Sequence, residues 1–180
     1  MKVTKLPIDG VLLIEPQIFG DARGWFYEAY NEERYRAAGI CETFVQDNQS
    51  FSQKNVVRGL HFQKPPFTQA KLVSVIQGAV LDVAVDLRAG SPTYGQYVSA
   101  VLTGENHHQL FVPKGFAHGF SVLEDNTIFA YKCSTLWNKE SEGNIVYNDP
   151  DIHVDWGVDH PILSEKDMVG PTLREFVTPF

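Results

Sequence analysis

The sequence predicts an all-β protein, a barrel or sandwich of short strands with only a few short helices, and three observations lead there. Within the run from Lys71 to Arg88, the part after Gly78 alternates with period two: Leu81, Val83, Val85 and Leu87 share one face, and Asp82, Ala84, Asp86 and Arg88 share the other. Short apolar runs recur along the chain, separated by turn-forming clusters at Lys64-Pro65-Pro66, Ala89-Gly90-Ser91-Pro92 and Glu124-Asp125-Asn126. Helical periodicity is confined to two brief stretches.

Taken in order, strands are expected at Val11–Glu15 and Gly24–Tyr30. A helix follows from Asn31 to Gly39, where Asn31 is the N-cap, Glu32 and Glu33 suit the positive end of the helix dipole, and Gly39 is a stop. Further strands are expected at Val57–Gln63, on either side of a turn or bulge at Gly78 within Lys71–Arg88, and at Gly95–Leu102, Gln109–Val112, His118–Leu123 and Thr127–Ser134. A second helix begins at Ser164, where Ser164-Glu165-Lys166-Asp167 resembles a capping box with Asp in the place usually held by Glu. No repeat, linker or low-complexity run divides the chain, so residues 1–180 are read as one domain.

Bulk properties narrow the functional classes. Hydrophobic residues make up 43% and charged residues 21% of the 180-residue chain, an ordinary balance for a globular protein. No stretch reaches the roughly 18 apolar residues of a membrane span, and Met1–Leu13 lacks the features of a secretory signal. A cytoplasmic protein is expected, with no membrane partner. Cys41 and Cys133 are far apart and form no metal-like pair, so free thiols are expected. The net charge of −7 lacks the basic footprint of a nucleic-acid binder. It leaves room for a small anionic ligand held by a few focused Arg and Lys residues.

Two segments carry more polarity than a core strand needs. In Val57-Arg58-Gly59-Leu60-His61-Phe62-Gln63, alternation places Leu60 and Phe62 on one face and Gly59, His61 and Gln63 on the other. In Phe111–Phe120, Pro113-Lys114-Gly115 makes a turn and His118 opens the next strand. The pair resembles the two motifs of the cupin superfamily, whose metal-binding members supply two His and one Glu from the first motif and one His from the second. Here Gln63 stands at the second His position and Lys71 at the Glu position. An amide and a cation are poor replacements for imidazole and carboxylate, so no metal is expected. His61, Lys71 and His118 remain, a set suited to removing a proton beside a carbonyl while positive charge supports the enolate oxygen. Tyr131 is a candidate proton donor for the opposite face.

The segments Phe19–Phe26, Val45–Asn48, Val57–Gln63, Asp82–Arg88, Gly115–Phe120, Tyr131–Cys133, Asn148-Asp149-Pro150 and Ser164–Asp167 together resemble the dTDP-4-dehydrorhamnose 3,5-epimerase family, in order and over nearly the whole chain. The resemblance implies a cupin-like fold and cofactor-free inversion of C3 and C5 of dTDP-4-keto-6-deoxy-D-glucose, giving dTDP-4-keto-L-rhamnose. It implies His61 as base in a dyad with Asp167, Tyr131 as acid, and Lys71, with Arg58 and His118 nearby, beside the C4 oxygen. Arg23 and Arg58 would hold the diphosphate, and Glu28, Gln46, Asp47 and Asn48 would contact nucleoside and linker. Glu142 and Lys166 match further substrate contacts, and Phe19 and Trp137 are candidates for stacking on thymine. It also implies a homodimer with exchanged N-terminal strands, so that Arg23 and Glu28 would serve the neighbouring site.

Each residue also has a plain structural reading. Asp167 serves as a cap, Tyr131 as an interior aromatic, His118 as an anchor of the Pro-x-Gly turn, Lys71 as an edge-strand lysine, and Phe19 and Trp137 as packing residues. Two alternatives stand beside the 3,5-epimerase: an enzyme inverting one carbon of a related dTDP-deoxy-ketosugar, and a metal-dependent cupin enzyme or sugar-binding barrel.

Overall fold

The computed structural model describes Met1 to Phe180. Two antiparallel sheets pack face to face as a cupin-like jelly roll. The first has the order β1-β2-β10-β7-β12-β5, from Lys2–Lys5, Leu12–Glu15, Gln109–Val112, Lys71–Gln77, Thr127–Cys133 and Gln46–Ser52. The second has the order β13-β6-β11-β8-β9, from Glu142–Asn144, Val57–Gln63, Phe116–Val122, Ala79–Asp86 and Tyr97–Thr103. A separate hairpin joins β3 (Phe19–Asp21) to β4 (Gly24–Phe26).

Three apolar clusters hold these layers. Val73, Val75, Leu110 and Phe129 of the first sheet meet Val80, Ala84, Leu102, Phe120 and Val122 of the second, forming the core between them. Helix α1 (Glu32–Ala37) covers the outside of the first sheet, where Tyr35 packs with Leu12, Ile14, Leu72 and Phe111 and donates its hydroxyl proton to Gln109 Oε1 at 2.5 Å. Asn31 caps this helix by accepting from the Arg34 amide at 3.1 Å, and Gly39 leaves it at φ +96°, as the residue types predict. The chain after Asn144 wraps the outside of the second sheet, laying Ile145, Ile152, Trp156, Phe176 and Phe180 over Val83, Val85 and Leu87.

That wrapping sets which way each face of the alternation points. On β8 the apolar face looks away from the sandwich, onto the C-terminal segment, while Asp82, Ala84 and Asp86 face its interior. Both faces are buried, and Asp82 and Asp86 have no accessible surface.

Gly78 divides β7 from β8 at φ +80°, and a Cβ there would come within 2.2 Å of Thr127 Oγ1, so only glycine fits the turn. The expected strand at Gly24–Tyr30 ends at Phe26, and the one expected from His118 already begins at Phe116. Strands β1, β3, β5 and β13 carried no apolar alternation. On β5 the inward residues Gln46, Asn48, Ser50 and Ser52 are all polar, leaving nothing for a hydrophobic period to register. No helix is long and apolar enough to cross a membrane.

Candidate active site

At one end of the sandwich the apolar core gives way to a cavity of about 390 Å³ lined by Gln46, Asn48, His61, Gln63, Gln69, Lys71, Tyr131, Cys133, Trp137 and Glu142. A smaller chamber of about 160 Å³ adjoins it and shares His61, Lys71 and Tyr131, adding Ser50, Arg58, His118, Phe120 and Phe129. The shared trio comes from both sheets: His61 from β6, and Lys71 and Tyr131 from β7 and β12.

Strand register explains the grouping. On the first sheet Lys71 pairs with Cys133, Val73 with Tyr131, and Asn48 with Tyr131 on the other side. On the second, His61 pairs with His118, but Arg58 pairs with Phe120, so the ladder slips by one residue between them. That bulge turns Arg58 onto the His61 side, where unbroken alternation would have put it with Leu60 and Phe62. Gly59 allows the close crossing: its φ is +145°, and an added Cβ would lie 2.6 Å from Gly119 Cα.

His61 Nε2 lies 2.6 Å from Asp167 Oδ1, which leaves Nδ1 as the ring nitrogen with no protein partner. Asp167 sits in the four-residue helix α2 (Glu165–Met168), capped by Ser164. Its carboxylate also accepts from Ser164 Oγ at 2.6 Å and from the Gly59 amide at 3.3 Å. Burial opposes its ionisation, but the hydrogen bonds from His61 and Ser164 outweigh it and hold the carboxyl below its ordinary range. The capping and dyad readings of Asp167 therefore coexist, since its amide bonds Ser164 while its carboxylate orients the imidazole.

The Lys71 ammonium forms none of the ion pairs of this chain and lies 5.8 Å from the Tyr131 ring centroid. Burial lowers its pKa, partly countered by Cys133, Asp82 and Glu142. Burial raises that of Tyr131, keeping the phenol protonated. Arg58 donates from Nε and Nη2 to Ser52 Oγ at 3.3 and 3.2 Å and pairs with no carboxylate. Gln63 spends its whole amide on the backbone: Nε2 donates to Phe67 O and Leu136 O at 2.7 and 3.3 Å, and Oε1 accepts from the Asn138 amide at 2.6 Å.

Trp137 stands at the mouth, 55% exposed; its amide donates to Gln46 Oε1 at 2.9 Å and its indole N–H to Glu142 Oε1 at 2.8 Å. Lys166 reaches the same rim by donating to Glu142 Oε2 at 2.7 Å. Four other candidates lie elsewhere in this chain. Phe19 and Arg23 are on the β3–β4 hairpin, with Arg23 paired to Asp21 at 2.6 Å. Glu28 pairs with Arg34 at 3.0 Å, and Asp47 points outward to Lys132 at 3.0 Å.

Sequence reasoning missed Asp82. It lies wholly buried on β8, with both oxygens 3.0 Å from His118 Nε2. The available signal was a carboxylate in mid-strand among Val80, Ala84 and their neighbours. Ser164 was read only as a cap.

Architecture and cavity define an enzyme on a cupin-like jelly roll, with a carboxylate-held imidazole and an unpaired ammonium where an ion cage could stand. A family model for dTDP-4-dehydrorhamnose 3,5-epimerase matches residues 5–175, and the chain belongs to that family of isomerases. A relative from Pseudomonas aeruginosa, dTDP-4-dehydrorhamnose 3,5-epimerase, is 51% identical over 177 residues, covering 97% of each chain. The crystal structure of a dTDP-6-deoxy-D-glucose-3,5-epimerase from Legionella pneumophila, in complex with dTDP-4-keto-L-rhamnose, superposes with a TM-score of 0.93 at 50% identity, over 96% of this chain and 93% of that one. A 3′-monoepimerase from Streptomyces bikiniensis, crystallised with dTDP as a double mutant with a histidine changed to asparagine and a tyrosine to phenylalanine, gives a TM-score of 0.88 at 32% identity, over 94% of this chain and 86% of that one.

Proposed function

We propose that this chain inverts C5 and C3 of dTDP-4-keto-6-deoxy-D-glucose to give dTDP-4-keto-L-rhamnose, with His61 as base and Tyr131 as acid. The observation that carries this reading is the entry of imidazole and phenol into one cavity from opposing sheets, with Lys71 beside the phenol. Inversion requires a proton to leave one face of the sugar and another to arrive at the opposite face.

His61 Nδ1 takes the proton from the carbon beside the ketone, and the C–H electron pair moves into the ring to give an enolate with its charge on the C4 oxygen. Lys71 stabilises that oxygen, and ionised Asp167 stabilises the imidazolium. Tyr131 then delivers its proton from the far side, leaving a phenolate. Exchange with water returns imidazolium and phenolate to their starting forms before the second carbon reacts. The histidine and tyrosine replaced in the Streptomyces bikiniensis monoepimerase are spaced along their chain as His61 and Tyr131 are here, which supports the pair.

The hairpin residues Phe19 and Arg23, exposed and far from the cavity of their own chain, support a homodimer in which this arm completes the partner's site. A monomer in sedimentation at micromolar concentration would overturn that arrangement.

The decisive experiment incubates the enzyme with dTDP-4-keto-6-deoxyglucose in deuterated water. Label at both C3 and C5 is expected. Label at one carbon would place the chain with the single-carbon epimerases, and none would overturn both readings.

A further inference from the structure

Two carboxylates share the interior face of β8, and they are treated very differently. Asp86 accepts from Arg88 Nε and Nη2 at 2.8 Å, from Ser91 Oγ at 2.5 Å and from Thr93 Oγ1 at 2.6 Å, bonds that overcome its burial and hold its pKa down. Asp82, four residues earlier on the same face and as fully buried, accepts only from His118 Nε2. Burial raises its pKa, and His118 and Lys71 pull the other way. A buried carboxylate with one neutral donor costs stability unless another charge balances it. The unpaired charge available is Lys71, which enters the same interior from the facing sheet.

The groups around Lys71 make Asp82 its interior counter-charge. From β12 come Tyr131 and Cys133, neutral because burial raises both. From β6 come His61 and Arg58, and from β11 His118, whose own pKa burial lowers. Glu142 of β13 is already bonded to Trp137 and Lys166, and Lys166 of α2 is itself a cation. Arg58 and Lys166 disfavour a further positive charge, so among the carboxylates Asp82 is the one not already spent on another cation.

Building on the role proposed for Lys71, we propose that Asp82 is a positioning residue: it fixes the His118 ring through Nε2 and keeps Lys71 in its ammonium form without touching substrate. A carboxylate placed in the cavity itself would neutralise the charge the enolate needs. Placed behind His118, it sustains that charge while leaving the ammonium free for the C4 oxygen.

The test is a titration of Lys71 in the full-length protein carrying 13Cε-lysine, with the resonance assigned by its loss in Lys71→Met. In Asp82→Asn, which keeps the shape and an oxygen acceptor for His118, the Lys71 midpoint is expected to fall by about one pH unit or more. The alkaline limb of kcat should move with it, while KM changes little. An unchanged midpoint overturns the proposal whatever happens to activity, as would be found if Asp82 only supported packing. Should Asp82→Asn fail to fold, the double variant Asp82→Asn/Lys71→Met removes both buried charges and should match Lys71→Met in kcat to within about twofold. A further loss beyond that would overturn the coupling. Lys71→Met turning over at the wild-type rate would instead sink the catalytic role of Lys71 and leave the titration result standing.

Discussion

His61 with Asp167 and His118 with Asp82 are two His–Asp pairs set side by side, their histidines directly opposite one another in the β6–β11 ladder. In the first, the imidazole is one-third exposed to the cavity and its carboxylate is satisfied by Ser164 and Gly59 as well. In the second, both partners are buried, with His118 on the wall of the inner chamber, and the carboxylate has no other donor. Burial decides which can do chemistry: an imidazole must change charge to act as a base, and a sealed site penalises the charged form. The open pair can pass protons, whereas the closed pair can only hold a field.

The largest expected effect tests that division directly. His61→Asn should lower kcat by about 10³-fold while leaving dTDP affinity within a few-fold, measured by isothermal titration and by the deuterium assay. His118→Asn should cost far less turnover, because the proposed mechanism gives its ring no proton to accept. Comparable losses in the two variants, or lost dTDP affinity in His61→Asn, would break the comparison.

A second effect, smaller in rate and opposite in sign for stability, concerns Lys71. Lys71→Met should lower kcat by about 10²-fold, since the proposed mechanism then loses one cationic support of the enolate. It should also raise Tm at pH 7 by about 2–4 °C, because the buried ammonium loses more to desolvation than its counter-charge Asp82 returns. The sign follows from linkage. The folded protein holds the Lys71 proton less tightly than the unfolded chain, so the wild type gains stability as pH rises through the folded-state value. The variant's advantage should therefore be greatest near neutrality and shrink in alkali, which thermal melts across pH would show.

Legibility in the sequence followed the same division between apolar and polar interiors. Strand β8 announced itself by alternation, and β7, β10, β11 and β12 as short apolar runs between turn clusters. Strand β5 did not, because its inward row lines the cavity and is polar. The face of β8 could be found, but not its direction, which depends on a C-terminal segment that lies over the second sheet only after folding. His61, Lys71, Tyr131 and Asp167 were legible as residue types within motifs; the cavity unites the first three, and Asp167 lies behind His61. The turn of Arg58 toward His61 required a one-residue slip that no local pattern records. Asp82 was hidden because its bond to His118 joins two strands 36 residues apart, which no local pattern reveals.

The smallest expected effect sharpens the contrast from the side of the open pair. Ser164 accepts from the Asp167 amide as helix cap and donates its hydroxyl to Asp167 Oδ2. Ser164→Ala removes both bonds and should cost about 1 kcal/mol of stability at pH 7. Turnover should fall only a few-fold, because the His61 bond to Oδ1 remains. The carboxyl of Asp167 is held low in the folded protein, so the stability it contributes is present above the unfolded carboxylate value and is lost as pH falls through the folded one. Losing the hydroxyl donor brings the two values closer together. The gap in Tm between wild type and Ser164→Ala should thus be widest near neutrality and narrow in acid. A gap constant from pH 7 down to pH 3 would mean that Ser164 stabilises the helix start alone and does nothing for the charge of the dyad.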